Sequence, residues 1–135
     1  MKYLRFTLFM LASSVIVLSC SKKNDPPAPT YPIVGTWKGT LTGANEASFG
    51  PLFYSFIIQA DSTITTQSTG TDGKTYYGAG IWKLNGTSFT AKSISNGTAQ
   101  TISATYSESK GTLTTGIWSN DNGSDSGTFS MTRSN

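Results

Sequence analysis

From Ile33 to Asn135 single aromatic and aliphatic residues alternate with threonine, serine and glycine, period two dominating, in short runs broken by glycine, asparagine and aspartate. That alternation puts successive side chains on opposite faces of an extended strand. No stretch carries the i, i+3, i+4 apolar spacing of an amphipathic helix over a useful length. The pattern predicts eight strands, near 34–42, 51–59, 62–69, 74–84, 87–95, 99–107, 111–119 and 126–133.

The links carry turn chemistry. Asp61-Ser62, Asp72-Gly73, Asn85-Gly86, Asn96-Gly97 and Lys110-Gly111 suit tight hairpins, and Asn-Gly tolerates the positive φ of a type I′ turn. Only Gly43 to Gly50 and Asn120 to Asp125 are longer. Links this short force sequential antiparallel pairing. Closing the meander removes its edges, so the expected fold is all-β, an eight-stranded antiparallel up-and-down barrel. A barrel of eight strands is filled by side chains or holds one small ligand.

Parity proposes the inward face. It takes Leu52, Tyr54, Phe56 and Ile58; Ile64; Tyr76, Trp82 and Leu84; Phe89 and Ala91; Ile102, Ala104 and Tyr106; Leu113 and Ile117; and Phe129 and Met131. Trp118 has the opposite parity from Leu113 and Ile117. It is an outer residue, or Gly116 marks a bulge that resets the face; both alternatives stand. A short self-similarity accompanies this. Gly80-Ile81-Trp82 precedes Asn85-Gly86, and Gly116-Ile117-Trp118 precedes Asn122-Gly123, a recurring hairpin solution rather than a duplicated site.

Gly35-Thr36-Trp37 opens the first strand, and Arg133 lies on the last with the parity of Phe129 and Met131. A cation on an apolar face needs a partner, and a guanidinium stacked on an indole is a favourable pair. First and last strands are neighbours in a closed barrel, so Trp37 and Arg133 are expected to meet at one end. Gly-x-Trp on strand one with an arginine on the final strand resembles the signature of the lipocalin and calycin superfamily. The resemblance covers Ile33 to Arg133 and implies that Gly35, Trp37 and Arg133 are fold residues plugging one barrel end. Two departures, no disulfide pair and short loops, argue against a large cavity. The avidin branch begins similarly, without a match to its biotin-contacting set.

Upstream, Lys2 and Arg5 precede a mostly apolar run from Phe6 to Leu18, shorter than the roughly 20 residues that span a bilayer. Val17-Leu18-Ser19-Cys20 resembles the lipobox of bacterial lipoproteins, with Leu18 bulkier than usual. The resemblance implies a signal peptide over 1–19 and lipid attachment at Cys20, the only cysteine. Residues 20–32 hold four of the chain's 5 prolines, Pro26, Pro27, Pro29 and Pro32, and read as an extended linker reaching roughly 35 Å. The barrel domain then occupies 33–135. Only Asp25 is acidic near Cys20, which favours the inner face of the outer membrane over surface export.

The formal charge of +3 includes Lys2 and Arg5. Without them, eight basic residues face seven acidic ones, leaving about +1 and no basic stripe for nucleic acid. There is no histidine, which removes Ser-His-Asp relays and histidine metal sites. Asp25 lies in the linker, and Glu46, Asp61, Asp72, Glu108, Asp121 and Asp125 fall in links or strand ends. Paired carboxylates in a buried cleft are therefore not expected. Asp121 to Asp125 lacks the spacing and distal glutamate of an EF-hand loop and reads as a surface turn. The chain is expected to be no enzyme and to use no cofactor or metal.

Binding roles remain. The first is a lipid-anchored barrel taking a small apolar or amphipathic ligand against Tyr54, Phe56, Tyr76, Trp82, Phe89 and Tyr106, rings that combine area with polar tips. The alternative is a protein-interaction or inhibitor module of the envelope, using the loops Gly43–Gly50 and Asn120–Asp125.

Overall fold

The computed structural model describes residues 32–45 and 47–134. The expected leader, Cys20 and all of the linker before Pro32 lie outside the described residues. Eight strands run in sequence: β1 Gly35–Gly43, β2 Leu52–Ile58, β3 Thr63–Thr69, β4 Thr75–Asn85, β5 Ser88–Ser95, β6 Thr98–Ser107, β7 Thr112–Asn120 and β8 Ser126–Ser134. Each pairs antiparallel with the next, and β1 pairs with β8 from Thr36↔Ser134 to Gly43↔Gly127, so the sheet is a closed up-and-down barrel. The strand boundaries agree with the sequence pattern to within a residue because turn residues mark them. Asn96 and Gly97 both have positive φ, 48° and 76°, and join Ser95 to Thr98 as a type I′ turn requires. Asn85 instead ends β4, and Gly86 alone takes the positive φ of the next link.

The inner face is layered. At one end Trp37 is fully buried, its indole N–H donating to the Ile33 carbonyl at 2.7 Å and its ring edge-on to Tyr106 at 6.0 Å. Trp37 and Arg133 are register partners across the closing seam. The guanidinium had been expected to rely on the indole; its hydrogen bonds run instead to the carbonyls of Pro32, 3.1 Å, and Val34, 3.2 Å. Charge-assisted bonds of this kind hold residues 32–34 against the closed end. The middle layer is aromatic. Phe56 packs against Phe129 at 5.5 Å and Phe89 at 6.1 Å, and Trp82, toward the closed end, stacks on Phe89 at 6.4 Å. Each fully buried ring contributes about 1.5–3 kcal/mol through apolar burial.

One inward assignment is corrected. Ile117, expected inside, is 56% exposed, whereas Trp118 is 6% exposed. Four residues of β7, Leu113 to Gly116, face three of β8, Met131 to Phe129. This is a bulge, and it flips every later side chain of β7 to the other face. Thr115 carries the strain, with φ at +49°, and its hydroxyl lies 2.9 Å from that of Thr105. Gly116 permits the close approach, since a Cβ there would meet the Phe129 carbonyl oxygen and ring.

Candidate functional site

The end of the barrel opposite Trp37 is open. It holds a cavity of about 490 Å³, in the size range of small-molecule sites. Its apolar floor is Leu41 of β1, Tyr54 of β2 and Trp118 of β7, resting on the packed ring of Phe129, which lies 5.6 Å from Tyr54. Above the floor the wall turns polar. Thr66 and Ser68 continue the inward parity of β3, Tyr76 enters from β4, and Gln100 and Asn120 face in from β6 and β7. Asp72 and Asp125 stand in the rim links, and among the described residues no lysine or arginine lines the cavity.

Hydrogen bonds fix this rim. The Gln100 amide donates to Asn120 Oδ1 at 3.1 Å, and Asn120 Nδ2 donates to Ser124 Oγ at 2.9 Å. The Tyr76 hydroxyl donates to Asp72 Oδ2 at 3.0 Å, and Lys74 Nζ lies 3.2 Å from the same oxygen. The backbone N–H of Lys74, followed by its side chain and the Tyr76 hydroxyl, holds the Asp72 carboxyl below its ordinary range. Asp125 Oδ1 accepts from Ser126 N at 2.8 Å and Asn45 N at 3.4 Å, tying the two long links together. At the floor, burial pushes the Tyr54 phenol well above its ordinary value of 10.0, so it is a neutral hydroxyl at any physiological pH.

Trp118 is the unusual group of this cavity. Its Nε1 is buried and has no hydrogen-bond partner among the described residues. The nitrogen sits over Gly127, where a Cβ would approach it to 2.8 Å. A buried indole N–H without a partner carries a desolvation cost of about 1–3 kcal/mol, and such groups call for a physical reason.

The six aromatic residues expected as a ligand wall separate into three places. Tyr54 and Tyr76 line the cavity. Phe56 and Phe89 are fully buried in the middle layer. Trp82 and Tyr106 belong to the closed end: the Trp82 indole donates to the Gln59 carbonyl at 2.9 Å, and Tyr106 packs on Trp37. Burial, and then Glu108, raise the Tyr106 phenol, with Arg133 opposing. Gly35 lies against the Arg133 guanidinium at that end.

Sequence reasoning missed Trp118, Gln100 and Asn120. One signal was available. In both Gly-Ile-Trp segments the tryptophan turns inward and the isoleucine outward, Ile81 being 57% exposed. Reading the second segment by analogy with the first would have placed Trp118 inside. No protein-family model and no curated protein matches the chain.

Proposed function

We propose that this is a lipid-anchored, lipocalin-like protein of the bacterial envelope that takes a small amphipathic molecule into the open barrel end and does not transform it. The cavity carries this reading: an apolar floor of Leu41, Tyr54 and Trp118 beneath a wall of hydroxyls and amides. A molecule with one apolar face and polar edges satisfies both at once, whereas a purely apolar one would leave the wall groups without partners. The order of basic residues, apolar run, Ser19 and Cys20 supports the anchor. Pro32 meets Arg133 at the closed end, so the described chain enters the barrel at the end opposite the mouth. Outer-membrane residence, on the inner face, is part of the same proposal.

The test uses the full chain and its Cys20→Ser counterpart. The parent should fractionate with membranes and the variant should not. In detergent, intrinsic tryptophan emission should respond saturably to at least one of decanol, indole-3-ethanol or an alkyl glycoside, and Trp118→Phe should abolish the response. Flat titrations across all three would defeat the ligand reading and turn attention to the rim loops, where Phe49 is exposed. A Cys20→Ser protein that stays with membranes would defeat the anchor.

A further inference from the structure

The lining chemistry narrows the ligand further, if the cavity is the binding site proposed above. We propose that it takes an uncharged, polyhydroxylated ring compound of the carbohydrate class, one face laid on the aromatic floor and one oxygen directed at Nε1 of Trp118.

Three observations lead there. The first is charge. The rim presents Asp72 and Asp125; among the described residues no cationic side chain lines the cavity, and the nearby Lys74 is turned to Asp72 at 3.2 Å. An anionic ligand would lose its hydration and gain no counter-charge, while facing two carboxylates. Neither carboxylate awaits a cation. Asp72 is already paired with Lys74 at 3.2 Å, and Asp125 is held by backbone N–H groups.

The second observation is the density of neutral hydrogen-bonding groups. The Gln100–Asn120 pair fixes two amide planes in the wall, so their orientation costs nothing further on binding. Planar amides offer donor and acceptor side by side, which matches a hydroxyl that needs to give one bond and take another. A ligand with several hydroxyls around a ring meets such a wall at many points. An alkyl chain would meet it at none.

The third is the floor. Trp118 and Tyr54, 6% and 4% exposed, line the bottom of a polar cup. Aromatic faces are electron-rich, and the C–H face of a sugar ring carries the complementary partial charge as well as dispersion contact. The orphan N–H of Trp118 adds direction. With the indole swung off Gly127, where the Thr42 carbonyl and Gly43 Cα leave no room for a ligand atom, an acceptor oxygen within the cavity would supply the missing bond.

The experiment follows the three indole N–H resonances of the ¹⁵N-labelled full chain, held in a non-glycosidic detergent, with Trp118→Phe assigning one of them. Methyl β-glucopyranoside and maltose are titrated against glucuronate and decanol. The expected result is a saturable shift of the Trp118 resonance with at least one neutral sugar, Trp37 and Trp82 staying in place. Glucuronate should bind about tenfold more weakly or worse, because its charge finds no partner. Gln100→Met, which preserves shape, should weaken the sugar by about tenfold while leaving the melting temperature near the parent's. Equal affinity for glucuronate, or sugars that do nothing while decanol shifts Trp118, would overturn the carbohydrate assignment and leave the binding barrel intact. Failure of all four probes to move Trp118 would remove both.

Discussion

Replacing Trp37 with alanine is expected to lower the unfolding free energy by about 3–5 kcal/mol, the cost of deleting a large buried aromatic. For a domain of this size that is a fall in melting temperature of at least ~12 °C. The effect is large because one side chain serves three purposes. The indole is fully buried, it packs edge-on against Tyr106, and its N–H satisfies the Ile33 carbonyl that crosses the floor. Alanine would leave a void between β2 and β8, the two strands that flank β1, and an orphaned carbonyl beside it. Trp37→Phe separates the contributions, since it restores most of the packing but not the hydrogen bond. Its cost should be smaller, about 1–3 kcal/mol. Denaturant melts with an unchanged m-value would read both numbers. A loss below about 1 kcal/mol for alanine would mean that this end is not plugged by Trp37.

The second large effect is expected at two strand glycines. Gly39 of β1 and Gly80 of β4 occupy inward positions where the neighbouring strand passes directly over them. A Cβ would collide with the Ser130 carbonyl oxygen in the first case and the Lys92 carbonyl oxygen in the second. Both obstacles are backbone, which cannot swing aside as a side chain can. Glycines at such places let a sheet coil tightly enough to close. Gly39→Ala and Gly80→Ala should each cost at least about 3 kcal/mol, beyond ordinary overpacking, and the doubly substituted chain should not fold. Gly86→Ala is the control. It has φ at +59° and open space around it, so only the left-handed backbone penalty of about 1–2 kcal/mol applies. Chemical denaturation of the three variants gives the comparison. Gly80→Ala no worse than Gly86→Ala would show that β4 and β5 are not packed this closely.

The fold was readable because each of its determinants is local. Period-two runs gave the strands, and residues such as Asn96 and Gly97 gave the turns. With links so short, antiparallel closure was the remaining way to hide the edges. The bulge in β7 was harder to see. Its strained residue is Thr115, a β-branched side chain rarely found at positive φ, which has no register partner on β6 or β8 and is held by the paired residues around it and by contact with Thr105. Nothing in Thr114-Thr115-Gly116 announces which residue is extra, and one residue decides whether Ile117 or Trp118 faces in. The cavity was hidden for another reason. Selecting inward residues by apolarity stopped at Ile64 on β3 and Ile102 on β6, so Thr66, Ser68 and Gln100 on the same faces were passed over. Parity, followed regardless of polarity, reaches all three.

The barrel is sealed at the Trp37 end and open at the Trp118 end. Hydrogen–deuterium exchange at the indole nitrogens measures that difference directly. Trp37, buried and bonded to Ile33, should exchange only through global unfolding, its rate following denaturant with the full m-value. Trp118, beside the cavity and without a partner, should exchange faster by orders of magnitude and independently of low denaturant. Equal protection of the two, both tracking global unfolding, would contradict an open mouth.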